Sequence, residues 1–284
     1  MDEISGTAGN TVKKGFADDI RQVGVVTQYE ILKHLRSKRF FIFAGIAGLV
    51  FLLITVLNFI FEGGLPDDPR KFMKMYMGLV YIMVILGVSL LCASTIASEF
   101  EERTALLMFP RPIKKTSFFA GKVLACYIIC GLIVIIYYLV CMIVSVIAAG
   151  GICPDTFGSL GMALLYMVGA GGFALVMSSL FKKSSSAIIV TIMILFMVFL
   201  IVDNIMISSG VEPMFSINYA GKDILNFVSR DPTGIYDFDL TPYGFKDMTF
   251  TTANPTHAMA AWICAIWAAV TTVISAILFK RREF

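Results

Sequence analysis

Six long apolar stretches, separated by short polar segments, dominate the pattern of hydrophobic and polar positions in this chain. They cover residues 40–61, 75–97, 123–152, 157–181, 187–207 and 258–279. Each stretch reaches the length of about 20 apolar residues that a helix needs to cross a bilayer. The stretches are continuously apolar, whereas strands of a membrane barrel would alternate apolar and polar positions. The pattern therefore predicts an all-α integral membrane protein, with residues 1–284 forming one domain of six transmembrane helices.

The segment before the first stretch has the pattern of an amphipathic helix. Within residues 16–38, Val25, Tyr29 and Leu32 fall on one helical face, and basic residues such as Lys33 follow. A helix with an apolar face and cationic charge lies along the membrane surface. We therefore predict an interfacial helix that leads directly into the first span.

The longest polar segment, residues 208–256, lies before the last span. Its nine charged residues sum to −3. Residues 214–228 are apolar enough for a short helix that touches the outer leaflet, and the later part is rich in turn signals such as Asn254-Pro255. We predict an extracytoplasmic loop.

Composition and charge fix the class and the orientation of the chain. It is 58% hydrophobic and 15% charged, against about 45–50% and about 25% in soluble domains. If the N-terminus is cytoplasmic, 17 of the 23 Lys and Arg residues fall in cytoplasmic segments. Because cytoplasmic loops carry the excess of Lys and Arg, we predict that both termini face the cytoplasm.

A charged segment, residues 99–122, connects the second and third spans. Ser98 and Glu101 have the spacing of a helix N-terminus, where carboxylates meet the positive end of the helix dipole. Pro110 and Pro112 then end the helix. The pattern predicts a short cytoplasmic helix that lies parallel to the membrane and faces another protein.

This segment resembles the cytoplasmic loop after the second span of ABC-2 type transporter permeases. Those loops commonly read Glu-x-Glu-x-Gly-Thr, a leucine-rich run, Pro-Ile, a basic residue and Gly-Lys at the start of span three. The chain reads Glu99-Phe-Glu101-Glu102-Arg103-Thr104, then Leu106-Leu107, Pro110-Arg111-Pro112-Ile113, Lys114-Lys115 and Gly121-Lys122. Arg103 stands where the family often has Gly. The six spans, the entry helix and the large last outer loop fit the same family.

The resemblance implies a permease subunit in the plasma membrane, which moves a substrate outward. Two such chains, identical or related, would sit on two cytoplasmic ATPase subunits through a coupling helix. The implied interface residues are Glu99, Glu101, Glu102, Arg103, Thr104, Leu106, Leu107, Phe109 and Arg111. The chain has no phosphate-binding loop of its own, so ATP and magnesium would be bound by the ATPase. We expect this chain to have no catalytic residue and to bind no cofactor, metal or nucleic acid. We also expect membrane lipids to surround it.

Three polar residues near the outer ends of spans mark a candidate translocation pathway. Asp203 and Asn204 follow a run of five apolar residues in the fifth span, and Asn58 has a similar depth in the first. A carboxylate inside a membrane is unfavourable and indicates function. The alternative is that the span ends at Val202 and Asp203 is interfacial.

Two other functions fit the same pattern. A permease-like subunit could pass ATPase-driven motion to an extracytoplasmic partner, for example in metalloenzyme maturation, through residues 208–256. A stand-alone secondary transporter would need no ATPase, and it predicts more paired charges within the spans than Asp203 provides.

Overall fold

The computed structural model describes residues 16–61, 63–101, 115–239 and 249–281. Six helical segments among these residues are long and apolar enough to cross a membrane, which confirms the expectation from the apolar pattern. They are Lys38–Ile60, Pro69–Thr95, Lys115–Ala149, Asp155–Leu180, Ser184–Ser208 and His257–Arg281. The orientation of these helices in the membrane stays a prediction.

Two of the six spans are interrupted helices. In chain order, the elements before the fifth span are α1 (Phe16–Leu35), α2 (Lys38–Phe61), α3 (Pro69–Met77), α4 (Val80–Thr95), α5 (Ala97–Glu101), α6 (Lys115–Ala149) and α7 (Asp155–Leu180). The fifth span consists of α8 (Ser184–Ile192), a π-helical turn (Met193–Val198) and α9 (Phe199–Ser208). The remaining elements are α10 (Ile217–Gly221), α11 (Asp223–Ser229), β1 (Gly234–Asp239), β2 (Thr249–Asn254) and α12 (His257–Arg281).

The predicted amphipathic helix is present as α1 and ends at Leu35, three residues earlier than expected. Ser37 forms the turn into α2, since its hydroxyl donates to the carbonyl oxygen of His34 at 2.8 Å. The apolar face that includes Tyr29 is exposed, while Val26 on the opposite side is buried and packs against α6. The location of α1 at the membrane surface stays a prediction.

The core of the bundle surrounds α4, in which 12 of the 16 residues are buried. In contrast, α2 exposes large apolar side chains such as Phe41 and Leu49 along much of its length. Such an exterior is unfavourable in water but is the surface that lipid tails solvate. The distribution of burial therefore agrees with the composition of the chain.

Small residues allow close packing of the central helices. A Cβ atom at Gly172 of α7 would lie 2.2 Å from Thr271 Oγ1 of α12. Further along the same pair, the hydroxyls of Ser179 and Ser275 are 3.0 Å apart. Helices in lipid associate through close backbone approach and such hydrogen bonds, so α7 and α12 form a tightly packed pair.

The segment before the last span is folded against the bundle. The apolar part predicted to be one short helix forms two, α10 and α11, and Ile217, Ile224 and Val228 are buried against the bundle. The two strands β1 and β2 form an antiparallel pair with Gly234 opposite Asn254. The sequence does not predict this hairpin, because turn signals surround both strands.

The approach of α1 to α6 is expected to depend on Gly121. A Cβ atom there would lie 2.7 Å from Val26 Cβ. We expect Gly121→Ala to lower the thermal unfolding midpoint of the purified chain, because overpacking costs about 1–3 kcal/mol. Gly45→Ala is the matched control, because Gly45 has open space around it in α2. Unfolding in detergent is followed by tryptophan fluorescence. Equal unfolding midpoints for the two variants would contradict the close packing of α1.

Candidate functional site

One end of the bundle contains a cluster of charged side chains, three buried and one, Lys33, about half exposed. We call it the ion-pair cluster: Glu30, Lys33, Glu99 and Lys122. Lys122, near the start of α6, is 1% exposed. Its Nζ lies 2.5 Å from Glu30 Oε1 and 2.9 Å from Glu99 Oε1. Lys33 Nζ lies 2.6 Å from the same Glu99 oxygen. The cluster thus joins α1, α5 and α6.

The local sequence explains why these helices meet here. Gly121 has no side chain, so α1 approaches α6 at Val26. Thr27 of α1 donates a hydrogen bond of 3.3 Å to the carbonyl oxygen of Gly121. The next residue, Lys122, then points into the contact, and its ammonium also lies 4.9 Å from the centre of the Phe118 ring. The Gly-Lys pair therefore supplies both the close approach and the charge.

The electrostatics of the cluster keep Glu99 ionised. Burial by itself raises the pKa of the Glu99 carboxyl, but the charges and hydrogen bonds of Lys122 and Lys33 outweigh burial and lower this pKa to about 2. The cluster contains two carboxylates and two ammonium groups, so its formal charges balance. Such balance is required because a buried charge without a partner is strongly unfavourable.

A second connection joins α5 to the fifth span. The backbone N–H of Ser184, the first residue of α8, donates to Glu101 Oε2 at 3.0 Å, and the Ser184 hydroxyl donates to the same oxygen. These hydrogen bonds lower the pKa of Glu101. Arg39 of α2 also donates to the Ser184 hydroxyl, at 3.0 Å. Glu101 therefore caps the N-terminus of α8.

The predicted coupling segment is attached at both of its ends. Glu99 and Glu101 hold its beginning, and Lys122 holds the helix that follows. Glu99 is 4% exposed, so its carboxylate faces the interior of this chain. The other predicted interface residues lie outside the described residues: Glu102, Arg103, Thr104, Leu106, Leu107, Phe109 and Arg111. Their contact with an ATPase stays a prediction.

The opposite end of the bundle contains a polar cavity of about 360 Å³, which we call the hairpin cavity. It lies between the fifth span, α10, α11 and the two strands. Its polar lining includes Asp203, Asn204, Asn218, Lys222, Asn226 and Tyr236. Two of the three predicted pathway residues, Asp203 and Asn204, thus meet in one cavity. The third, Asn58, lies elsewhere and donates to the carbonyl oxygen of Ile54 in its own helix at 2.9 Å.

Asp203 is buried and bound on one side. It is 4% exposed, and its Oδ2 accepts a hydrogen bond of 2.9 Å from the hydroxyl of Ser216, just before α10. Asn218 donates to the backbone carbonyl oxygen of Leu195, inside the π-helical turn. This hydrogen bond connects α10 to the interrupted part of the span.

Ion pairs hold the elements around this end together. Asp155 at the start of α7 lies 2.9 Å from both Arg70 and Arg230, which connects α7 with α3 and the end of α11. His257 Nδ1 lies 2.8 Å from Asp223 Oδ1, which connects α12 with α11. Burial raises the pKa of Asp223, and the hydrogen bond from His257 opposes this rise.

Several charged residues of these sites are missed by sequence reasoning. Glu30, Lys33 and Lys222 belong to the two sites, and no spacing along the chain relates them to their partners. Lys122 gives one usable signal, because a lysine directly before a long apolar run needs a partner once its helix is packed. Among the described residues, no group of three or more His, Cys, Asp or Glu side chains could hold a metal ion.

Removal of the central ammonium is expected to destabilise the fold. Lys122→Met leaves Glu30 buried without this partner, so we expect a loss of about 3–5 kcal/mol in the free energy of unfolding. The matched control combines Lys122→Met with Glu30→Gln and Glu99→Gln, which removes the stranded charges and should restore most of the loss. The test is chemical denaturation in detergent. A triple variant as unstable as the single one would show that lost packing, not charge, is responsible.

Glu99 is expected to make stability depend on acidic pH. Its folded-state pKa is lowered from 4.5 to about 2, so its contribution is complete above about pH 4.5 and is lost as the pH falls through about 2. Between pH 7 and pH 3 the chain should lose about 2 kcal/mol more than the Glu99→Gln variant. Melting midpoints of both proteins across this range are the measurement. Parallel curves would contradict the ionised pair.

Comparison with known proteins gives the family and the class of this chain. A family model described as "Protein of unknown function (DUF2705)" matches residues 40–284. The uncharacterized membrane protein YdbK of Bacillus subtilis (strain 168) is 20% identical over 154 residues, which cover 51% of this chain and 62% of that protein. The match thus spans less than two thirds of the relative's length. With its six apolar helices, the chain is a multi-pass membrane protein, and it belongs to the DUF2705 family.

Proposed function

We propose that this chain is the permease subunit of an ABC transporter, which couples ATP hydrolysis by separate ATPase subunits to export of a substrate. In this proposal two permease chains, identical or related, sit on two cytoplasmic ATPase subunits that bind ATP and magnesium. Both chain termini face the cytoplasm, and the protein lies in the plasma membrane. The resemblance of residues 99–122 to ABC-2 permeases is the starting point.

The observation that carries the proposal is the attachment of the coupling segment to the transmembrane helices. Glu99 is bound to α1 and α6 through the ion-pair cluster, and Glu101 is bound to the first residue of α8. A segment held in this way cannot move alone. A displacement of residues 102–114 by an ATPase would therefore be passed to α1, α6 and the fifth span, as a coupling element requires.

The chemistry of the segment supports a protein partner. Leu106, Leu107 and Phe109 offer apolar area for burial, and Glu102 and Arg103 offer charges that orient a partner. Residues 106–109 are four consecutive apolar residues between Arg103 and Arg111. Contact with an ATPase subunit would bury them.

Charge supports the assignment of the ion-pair end to the cytoplasm. If the N-terminus is cytoplasmic, 17 of the 23 Lys and Arg residues fall in cytoplasmic segments, and the residues of the ion-pair cluster belong to two of these segments. ATPase subunits that use cellular ATP must bind on this side. The hairpin end, with its cavity, then faces out of the cell.

The proposal predicts that affinity purification of the tagged chain in mild detergent yields a stoichiometric subunit that carries an ATP-binding phosphate loop. Leu106→Ala combined with Leu107→Ala should reduce the recovered subunit at least about tenfold, because hot-spot residues at interfaces each contribute about 2 kcal/mol or more. Phe157→Ala is the matched control, since Phe157 is also apolar and 61% exposed but lies at the opposite end of the bundle. Mass spectrometry and membrane levels are measured for each variant.

Three results would count against the permease proposal. Recovery of no ATPase, together with no ATPase crosslinked from a photoreactive residue at Glu102, would favour a stand-alone carrier. Equal recovery with the double variant and the control would remove the coupling segment from the interface. An extracytoplasmic protein recovered in equal amount with the ATPase would favour a subunit that passes motion to that partner.

A further inference from the structure

Three residues that line the hairpin cavity have a side-chain oxygen for which the described residues supply no hydrogen-bond partner. Asp203 Oδ1, Asn226 Oδ1 and Ser229 Oγ are all inaccessible to solvent and without a partner in the structure, and all three residues line this cavity. Asp203 and Asn226 are 4% and 3% exposed. A buried acceptor without a donor is unfavourable, and more so when it is charged. Three in one cavity therefore call for an explanation.

Side chains of the cavity itself do not supply the missing donors. Ser216 already donates to the other oxygen of Asp203. Lys222 is the cation of the lining, but its Nζ is directed to the carbonyl oxygen of Ala253, at 3.4 Å. Burial lowers the pKa of Lys222, and the nearby charge of Asp203 opposes this change. The described residues provide no ion pair to Asp203.

The number and the charge of the acceptors favour one type of ligand. Asn226 and Ser229 are three residues apart on α11, so both project from the same side of that helix. Asp203 supplies the third oxygen and a negative charge from α9. A primary ammonium group carries one positive charge and three N–H donors. It therefore matches this set in charge and in number of hydrogen bonds.

The cavity is also large enough for more than an ion. Its volume of about 360 Å³ falls in the range of sites for small organic molecules. Tyr81 and Tyr236 contribute aromatic rings to the lining, and such rings attract organic cations. The lining contains two carboxylates, Asp203 and Asp231, and Asp231 lies 3.3 Å from Lys74 Nζ, so Asp203 is the carboxylate that remains for a ligand.

We propose that the hairpin cavity binds a small organic molecule with a primary ammonium group, which donates hydrogen bonds to Asp203, Asn226 and Ser229. The remainder of the molecule lies against the tyrosines and amides of the cavity. This inference does not rest on an ATPase partner. It concerns the chain by itself, so it can be tested whether or not the permease proposal is correct.

The test is calorimetric titration of the purified full-length chain in mild detergent with tyramine, a primary amine smaller than the cavity. We expect saturable binding with one site per chain. Tyrosol, which has a hydroxyl in place of the ammonium group, should not bind. The trimethylated derivative of tyramine, which keeps the charge without N–H donors, should bind at least about tenfold more weakly, since it cannot donate charge-assisted hydrogen bonds.

Variants of the chain identify the site. Asp203→Asn should weaken tyramine binding at least about tenfold, because it removes the charge and keeps an oxygen for Ser216. Asp67→Asn is the matched control, as Asp67 is an exposed carboxylate at the same end outside the cavity lining. Ser229→Ala, which removes one acceptor, should weaken binding about fivefold. It provides the test if Asp203→Asn fails to fold.

The following results would overturn the inference. One is that tyrosol binds as tightly as tyramine. Another is that the Asp203→Asn and Ser229→Ala variants bind tyramine as tightly as the unchanged chain does. Sodium or potassium ions could displace tyramine at equal concentration, which would indicate a site for an inorganic cation. The last such result is that saturable binding is found neither for tyramine nor for the smaller n-propylamine. Water would then be the partner of these oxygens.

Discussion

The buried ammonium of Lys122 is the interaction on which the arrangement of one end of the bundle depends. A charge that is 1% exposed requires partners, and here the partners come from two other elements, Glu30 of α1 and Glu99 of α5. Breaking a buried pair is far more unfavourable than forming it is favourable. The ion pairs therefore contribute more to the specific position of α1 and α5 than to net stability.

The two ends of the bundle differ in how their buried charges are satisfied. The ion-pair cluster satisfies its carboxylates with lysines of the same chain, which fits a rigid connection between elements. In the hairpin cavity, Asp203 has one oxygen bound to Ser216 and one for which the described part of the chain supplies no donor. The first arrangement is suited to transmit motion, and the second is suited to bind a ligand. Between them, the central helices are joined through close backbone contacts such as those of Gly172 and Thr271.

Interruptions of the helices lie where polar groups enter the spans. The fifth span contains a π-helical turn, and the side-chain amide of Asn218 binds the carbonyl oxygen of Leu195 within it. The second span breaks between α3 and α4, and Gly78 at this break lines the hairpin cavity. Irregular backbone in a membrane is stable only where it is buried in protein or lines a cavity. The break at Gly78 meets that condition. In the π-helical turn the buried residue is Leu195, and its carbonyl oxygen is the one that Asn218 binds.

The sequence by itself determined the number of the spans, because six apolar runs of sufficient length leave helices as the stable solution in lipid. It placed their ends only approximately, since the second and third spans begin at Pro69 and Lys115 rather than at residues 75 and 123. It also located the entry helix, and it singled out Glu99, Glu101 and Asp203 as polar residues that need an explanation. Only the tertiary structure decided what these residues contact, since Glu99 and Lys33 are 66 positions apart and Asp203 meets α11 only after residues 208–229 fold back on the bundle. The sequence likewise does not predict the two short strands, because their pairing depends on contacts with the bundle rather than on local propensity. The length of an apolar run is a property of one continuous segment of the sequence. The partner of a buried charge depends instead on which helices pack together.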